Sequence, residues 1–548
     1  MALGFSVFIH EDQVQIKCHF EQGTYDSVFV ETPEITIVLE GIVLNKKDLL
    51  NNSSLSFQDY VVKGYADKGW RLLQELEGEF RGCIWDKNSQ KVLIFTNPTS
   101  TQRVFYAKID HQIFADSDLV RLSKTVKEKN ISINPDLISI YQLLAIGNLL
   151  ENRTPIEGVY KVKDAHFVEI DCTRYSLTEK EYFNISGIDY YTKKKENAVD
   201  DIHEIFTQAV QWEYNKDIAF NTSSLAFLSG GLDSRMAMFY AANNKFHIGC
   251  ALCFSHSGYF DETISRKIAE DYQLNYEFIP LDSGSFLTKI DELTAISEGT
   301  SLYSGGIHVQ HALDQLSFQD FKIFHGGQIG DGILGGFNSE PKRKSPSEYK
   351  IIVNPNFLPK IKSDLKNIMS NYEREEIFLL QNLAYNRTVL GVQVLQPRGY
   401  LISPFMTKDF IRLSLSLPEE WKFGHQFYLQ WLSKHCKEAE KYTWERTLMK
   451  PDAFWKVKFG EKYVKNGYLM FFNKILRSPE KASMYPYQYY FDSIPEIQHF
   501  YQNYFNENIG RLEFYPELLG EVSDLFSQKT FYHKCQAINI LSIFKLYF

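Results

Sequence analysis

Hydrophobic and polar residues alternate in short runs over the first part of the chain. Polar turns separate runs of period two at 4–10, 14–19, 35–39, 80–85, 91–95, 104–107 and 112–115. Alternation of this kind predicts strands with one buried face. Together with a helical segment at 59–76, it predicts a layered, β-rich domain over residues 1–172.

The pattern changes after residues 173–197, a charged and aromatic stretch without clear periodicity that we assign to a linker. Beyond it, helix-like segments (199–212, 261–272, 363–381 and 408–417) alternate with strand-like ones (224–228, 248–254 and 322–324). Such alternation predicts a parallel sheet covered by helices over residues 198–548. The expected fold class is therefore α/β, in two domains.

Composition narrows the function classes. The 548 residues are 44% hydrophobic, the net charge is −9, and Lys and Arg are spread along the chain, which argues against a nucleic-acid partner. Seven scattered cysteines and the lack of a signal-peptide pattern predict a cytoplasmic protein without a disulfide framework. Cys250 and Cys253 lie in an apolar, strand-like run, so we expect buried thiols. No apolar stretch reaches the length of a membrane span.

The most informative string, 225–234, is a short apolar run that ends in a glycine turn before a helix-like segment. Glycines in such a turn let backbone N–H groups approach a phosphate at the positive end of the helix. Asp233 can hold the Mg²⁺ that offsets phosphate charge. An ordinary connection between strand and helix is the alternative. The residues predicted to bind ATP and pyrophosphate here are Leu228, Ser229, Gly230, Gly231, Leu232, Asp233 and Ser234.

This string resembles the pyrophosphatase loop of the asparagine synthetase family. The resemblance implies two domains: an N-terminal-nucleophile (Ntn) hydrolase-like αββα sandwich, and a parallel-sheet domain of the adenine-nucleotide α-hydrolase (PP-loop) type. It also implies ATP and Mg²⁺, and an acyl-adenylate that an amine attacks. The stretch 258–262 is similar to the family as well, and Asp261 and Glu262 are either helix caps or nucleotide-site residues.

A second string, 324–337, resembles the family's glycine-rich segment opposite the pyrophosphatase loop. The resemblance adds Gly326 and Gly327 to the ATP site and places Asp331 on a second magnesium carboxylate, beside Asp233. Gln328 stands where the family has a catalytic glutamate; it can form hydrogen bonds but cannot accept a proton. A glycine-rich loop without catalysis is the alternative.

A catalytic lysine is expected near 444–450, where family members place an Arg-x-Lys segment. We assign Lys450, although Lys456 and Lys458 are close enough to compete, and a solvated basic loop is the alternative. The segment 402–410 is similar to a family helix entry, but Ile402 and Thr407 depart from its pattern.

The first domain resembles the family's glutaminase, whose nucleophile is a cysteine at the mature amino terminus. Here that position is Ala2, which has no thiol. The family's oxyanion-stabilising Asn-Gly-Glu corresponds to 40–42, where Glu40 replaces an amide beside Gly41 and would repel negative charge. We therefore predict a scaffold without glutaminase activity.

Taken together, the sequence predicts an AMP-forming amide ligase whose amine is ammonia or an amino group of the substrate, as in the similar β-lactam synthetases and lasso-peptide cyclases. A non-catalytic nucleotide-binding scaffold is the rival hypothesis. We expect small-molecule or peptide carboxylates and amines as substrates, recognised by the loops at 301–311 and 338–353. For protein partners, the sequence leaves two alternatives, a second copy in a homodimer or another protein of the same pathway.

Overall fold

The computed structural model describes residues 4–11, 13–21, 23–51, 54–316, 321–388, 390–472 and 478–548. Ala2 lies outside these ranges.

Two antiparallel sheets form the first part of the chain. A five-stranded sheet has the order β2-β1-β8-β7-β9, and a six-stranded sheet has the order β11-β10-β6-β5-β4-β3. The strands are β1 Phe5–His10, β2 Gln13–Cys18, β3 Val28–Glu31, β4 Ile35–Val43, β5 Gly78–Asp86, β6 Lys91–Thr96, β7 Phe105–Ile109, β8 Gln112–Asp116, β9 Val159–Lys161, β10 His166–Asp171 and β11 Ser176–Glu181. Alternate residues of both sheets, including Val7, Val38, Cys83, Ile94 and Ala115, meet in one buried core.

Helices cover the outer faces of this sandwich: α1 Lys46–Leu49, α2 Phe57–Lys68, α3 Leu119–Glu128 and α4 Leu137–Ile146. The α-β-β-α layering predicted for this part of the chain is confirmed. One detail differs, because the helix predicted at 59–76 ends at Lys68. Gly69 has a φ of 58°, a left-handed conformation that stops the α-helix, and a 3₁₀ turn follows at Gly69–Gln74.

Strand β11 lies inside the segment 173–197 that the sequence assigns to a linker. It pairs along its whole length with β10 in the six-stranded sheet. We propose that the boundary of the first domain falls after Glu181.

The second part of the chain contains a parallel sheet of five strands in the order β14-β13-β12-β15-β16. These strands are β12 Ser223–Phe227, β13 Cys250–Ser255, β14 Tyr276–Pro280, β15 Phe321–His325 and β16 Tyr400–Ile402. The predicted parallel sheet is confirmed. The chain runs outward from β12 to opposite sides of the sheet, so a crevice opens at the carboxyl ends of β12 and β15.

Helices surround this sheet and extend to the end of the chain. They are α5 Lys195–Phe220, α6 Asp233–Asn243, α7 Phe260–Asp271, α8 Ile290–Ile296, α9 Ile307–Gln315, α10 Leu358–Ser370, α11 Glu375–Leu379, α12 Leu390–Leu395, α13 Lys408–Ser416, α14 Glu419–Lys422, α15 Gln426–His435, α16 Phe454–Phe459, α17 Lys465–Met470, α18 Tyr487–Ser493, α19 Pro495–Asn508, α20 Pro516–Ser527 and α21 Phe531–Tyr547. Within the described ranges, none of these helices could span a membrane.

Buried ion pairs join the two parts of the chain. Lys216 on α5 lies 2.6 Å from Asp26, and Arg103 lies 3.2 Å from Glu298. Because breaking a buried pair leaves an uncompensated charge, these contacts fix the sandwich against the parallel-sheet domain.

The seven cysteines, all within the described residues, form no disulfide bond, and Cys250 and Cys253 are buried in β13, as their apolar run predicts.

A buried histidine anchors the end of β15 to α5. Nε2 of His325 lies 2.6 Å from Asp217, and Nδ1 lies 3.5 Å from Glu213. Burial works to lower the pKa of this imidazole, but the two carboxylates outweigh it and raise the pKa to about 9. The imidazole is therefore a cation at neutral pH.

Candidate active site

The glycine turn lies where the sequence places it, between the end of β12 and the start of α6. Ser229 and Ser234 face each other, their hydroxyl oxygens 3.0 Å apart, and the N–H of Gly231 donates to the Ser229 hydroxyl at 3.1 Å. Among the described residues, no side chain caps the first turn of α6. Free backbone donors at a helix N-terminus form an anion site, so this turn can hold a phosphate.

Two buried side chains, Arg235 and Asp261, form hydrogen bonds that hold the turn in place. Arg235 donates to the carbonyls of Gly230 and of three residues in 439–443. Asp261 accepts from the N–H of Gly230 at 2.8 Å, and burial, followed by the charge of Glu445, raises its pKa to about 7. Of the two roles left open for Asp261, this contact favours support of the phosphate turn over capping of α7.

The second glycine-rich string packs directly against the first. A Cβ atom at Gly327 would lie 2.5 Å from the backbone carbon of Asp233 and from the nitrogen of Ser234. At Gly330 a Cβ would lie 2.7 Å from the carboxyl carbon of Asp233. Both glycines are therefore required by close approach, and the structure brings the two strings together.

Asp233 and Asp331 meet at the bottom of the crevice. Asp233 accepts hydrogen bonds from the backbone N–H of Asp331 at 2.8 Å and from the Tyr428 hydroxyl at 2.9 Å. Burial, and after it the negative charge of Asp331, raise the pKa of the Asp233 carboxyl well above its usual range. The Asp331 carboxylate is half-exposed and accepts from Arg446 at 2.9 Å.

This pair fits a magnesium site completed by phosphate. Mg²⁺ usually takes one or two protein carboxylates and obtains its other ligands from phosphate and water. Among the described residues, no group of three or more His, Cys, Asp or Glu side chains could hold a metal by itself. A cation here would offset the burial and the negative charge of Asp331, which together raise the Asp233 pKa. The metal role of both residues stays a prediction.

The turn and the carboxylates lie in one cleft of about 800 Å³, a volume in the range of small-molecule sites. Gly327 and Gln328 line it, and Gly326 lies directly behind Gln328. The apolar part of its wall is formed by Phe227, Leu252, Phe254, Val309, Leu395 and Leu401. Of the two loops expected to recognise substrate, 301–311 contributes Val309.

The two residues predicted to be catalytic differ in position. The side-chain oxygen of Gln328 is buried and has no hydrogen-bond partner in the described part of the chain, so it can accept from a ligand N–H. Lys450 is exposed and is not among the described residues that line the cleft. Its catalytic role stays a prediction.

Several site residues were missed by sequence reasoning. Arg446, four positions before Lys450, is the cation that contacts Asp331. Glu445 lines the cleft and accepts from the Tyr259 hydroxyl and from Lys465, the latter at 2.6 Å. The charged pair Glu445 and Arg446, next to Trp444, was the sequence signal that could have identified these two residues. Tyr428, which donates to Asp233, was also missed, and the sequence carried no signal for it.

The predicted glutaminase positions Glu40 and Gly41 lie away from this cleft. Ala2 is outside the described residues. Glu40 is buried and accepts from Arg81 Nε at 2.7 Å, so its charge is offset more than the sequence suggests. Gly41 has a φ of 131°, and a Cβ there would lie 2.1 Å from the Glu79 carbonyl oxygen, which explains the glycine by strand packing. Glu40 and Arg81 line a separate cavity of about 290 Å³ between the two domains.

Comparisons with known proteins agree with both domains. A family model described as "Glutamine amidotransferase domain" matches residues 27–183, and one described as "Asparagine synthase" matches residues 205–389.

Two curated relatives are similar over about half of this chain. "Asparagine synthetase [glutamine-hydrolyzing] 2" of Bacillus subtilis (strain 168) is 24% identical over 329 residues, covering 56% of this chain and 44% of the relative. "Amidase chry2" of Gibberella zeae (strain PH-1) is 19% identical over 316 residues, covering 53% and 45%. The matches thus span less than half the length of either relative.

Two solved structures overlap loosely, each with a TM-score of 0.23. One is described as the allosteric regulatory enzyme of purine biosynthesis, at 10% identity over 47% of this chain and 60% of the other. The second is glutamine phosphoribosylpyrophosphate amidotransferase from B. subtilis with ADP and GMP, at 9% identity over 60% and 76%. At these TM-scores neither structure contributes to the assignment. Residues 27–183 thus match the glutamine amidotransferase domain and residues 205–389 the asparagine synthase domain, and with the first curated relative these matches support the resemblance to the asparagine synthetase family.

Proposed function

We propose that the protein is an ATP-dependent, AMP-forming amide ligase that works without its own glutaminase. The observation that carries this proposal is the pair Asp233 and Asp331, held together beside the uncapped N-terminus of α6 in one cleft. The matched asparagine synthase domain supports a carbon–nitrogen ligase.

In the first step, a substrate carboxylate oxygen attacks the α-phosphorus of ATP. A new P–O bond forms, the bond from the α-phosphorus to the bridging oxygen breaks, and pyrophosphate leaves with the electron pair. The Ser229 and Ser234 hydroxyls and the N–H groups of α6 bind the departing phosphates. Asp233 and Asp331 would hold Mg²⁺, which would supply neutralisation of phosphate charge.

In the second step, an amine nitrogen attacks the acyl carbon. The C–N bond forms, the bond from the acyl carbon to the phosphate oxygen breaks, AMP leaves, and the amine proton passes to water. The Gln328 side-chain oxygen accepts from the amine and orients it. Because an amide is not a base, Gln328 cannot take that proton.

The amine comes from ammonia or from the substrate. A glutaminase of this type needs an activated cysteine thiol, and Ala2, at the position that resembles the family's nucleophile, has a methyl group instead. The carboxylate belongs to a small molecule or a peptide.

Pyrophosphate exchange tests the proposal. Purified protein with ATP, Mg²⁺ and a panel of carboxylic acids should incorporate labelled pyrophosphate into ATP with at least one acid, and Asp233→Ala should abolish the exchange. Glutamate release from glutamine should be absent, which Ala2→Cys probes as the matched gain-of-function variant. Glutamine hydrolysis by the unaltered protein would contradict the glutaminase part alone.

A non-catalytic nucleotide-binding scaffold is the second candidate, favoured by Gln328 in place of a glutamate and by the exposed position of Lys450. ATP binding without exchange for any acid would establish it.

A further inference from the structure

An exposed row of large apolar side chains follows the helical segment 454–472 at the rim of the cleft. We call the following residues the aromatic stripe, with their exposed fractions: Trp455 64%, Phe459 49%, Tyr463 55%, Met470 55% and Phe471 42%. Single exposed apolar residues are ordinary, but a contiguous set marks an interaction surface.

The spacing of the stripe places its members on one side of the helix. Trp455, Phe459 and Tyr463 follow one another at intervals of four residues, which is the spacing of neighbours on a helical face. The rings of Phe459 and Tyr463 lie 5.2 Å apart. Met470 and Phe471 follow Tyr463 by seven and eight positions, which is also the spacing of one helical face, so the stripe lies along one side of the segment.

Lysines flank the stripe. Residues 450–472 contain five lysines and two acids, although the whole chain carries a net charge of −9. Lys456 lies 5.8 Å from the Trp455 ring, and Lys462 lies 5.1 Å from the Tyr463 ring. Lys456 pairs with Asp452, Lys458 with Glu461 and Lys465 with Glu445. The surface is therefore apolar with an excess of positive charge from Lys450 and Lys462, on a protein that carries a net negative charge.

The same helical segment is tied to the wall of the cleft. Glu461 accepts from Arg446 at 3.0 Å, and Arg446 in turn contacts Asp331. Lys465 contacts Glu445, which lines the cleft. A partner bound on the stripe would lie within reach of the proposed reaction centre.

We propose that the aromatic stripe docks an acidic polypeptide segment with apolar side chains, and that this segment belongs to the substrate whose carboxylate or amine enters the cleft. The substrate class is thus a peptide or protein. This inference rests on the proposed ligase function.

Charge complementarity favours this occupant over two others. A second copy of the stripe carries the same excess of lysines, so pairing two stripes would bring two surfaces of like charge together. An anionic bilayer would meet Glu461 as well as the lysines, whereas a peptide can place its acidic side chains at the lysines. Acidic residues in the peptide pair with the lysines, and its apolar side chains cover the rings.

The experiment measures binding of a short fluorescein-labelled peptide rich in Glu, Leu and Phe to the full-length protein, by fluorescence anisotropy. The test variants are the double substitution Trp455→Ser with Tyr463→Ser, and the single substitution Lys462→Glu. The control is Tyr349→Ser with Phe514→Ser, which removes side chains that are 89% and 82% exposed elsewhere. ATP affinity, measured by calorimetry, reports whether each variant keeps its fold.

We expect saturable, salt-sensitive binding by the unaltered protein and the control. Both test variants should bind at least about tenfold more weakly, a change of about 1.4 kcal/mol, with ATP affinity unchanged. A version of the peptide with Lys in place of Glu should not bind.

Equal binding by all variants, or no saturable binding, overturns the proposal. Two further results also overturn it: stripe-dependent sedimentation with phosphatidylserine vesicles in place of peptide binding, or a dimer that the double substitution dissociates. Pyrophosphate exchange separates the two proposals. Exchange without stripe-dependent peptide binding refutes the docking surface alone, and peptide binding without exchange for any acid refutes the ligase.

Discussion

Replacing Gly327 with alanine should separate the two loops that form the site. The added Cβ would lie 2.5 Å from two backbone atoms of the phosphate turn, whereas ordinary contact begins near 3.4 Å. The loops must therefore move apart by about 1 Å, because backbone atoms cannot rotate away as a side chain can. The φ of Gly327 lies outside the left-handed range, so the clash is the only cost of the substitution.

That displacement sets the expected magnitudes. Overpacking of this kind costs about 1–3 kcal/mol of unfolding free energy, and a misplacement of about 1 Å in a catalytic site lowers activity about 100-fold. Because the shift separates Asp233 from Asp331, it should also weaken Mg²⁺-dependent ATP binding.

Calorimetric ATP binding, pyrophosphate exchange and thermal unfolding are the assays. The matched control is Gly520→Ala in α20, where a Cβ meets no atom within 4 Å and alanine should stabilise the helix by about 0.5–1 kcal/mol. Wild-type ATP affinity and exchange in Gly327→Ala would refute the reasoning, since the loops would then not be in contact.

Three further predictions concern single side chains. Asp331→Asn should raise the Mg²⁺ concentration for half-maximal exchange about tenfold or more, and excess EDTA should abolish exchange; exchange that persists in EDTA would contradict the metal assignment. The pKa of His325 is about 9 in the folded protein, against 6.5 in the unfolded chain. Protonation of this imidazole therefore contributes stability that is complete below pH 6.5 and is lost as the pH rises through about 9. His325→Gln should therefore flatten the pH dependence of the unfolding free energy in that window, as urea titrations at several pH values can show; an unchanged slope counts against a charged imidazole. Lys450→Ala should lower exchange about 100-fold, and a loss seen instead in Lys456→Ala or Lys458→Ala would move the catalytic role to that lysine.

Much of the architecture could be predicted because many of the strands carry their own local signal of apolar residues. The alternating runs became the two sheets of the sandwich, and the apolar run before Ser229 became the central strand β12. Asp233 and Asp331 were expected to be neighbours because the resemblance to the asparagine synthetase family places both at one magnesium site.

The rest depends on contacts between distant segments, which leave no local pattern. Tyr428 reaches Asp233 from α15, and its position in an apolar helix suggests only a core residue. The aromatic stripe could not be identified from the sequence. Periodicity shows that side chains share a face, but it does not show whether another element covers that face. Strand β11 was missed because its polar, half-buried sequence lacks a clear apolar alternation.

The guanidinium of Arg235 limits how the cleft can open. It is fully buried, burial lowers its pKa to about 10, and its contacts are the carbonyl oxygens of Gly230 and of Ala439, Tyr442 and Thr443. Pulling the phosphate turn, with Arg235 at its end, away from 439–443 would leave a buried cation with the Gly230 carbonyl in place of four acceptors, which is costly in the interior. The phosphate turn and residues 439–443 are therefore expected to move as one unit when the cleft admits substrate or releases product.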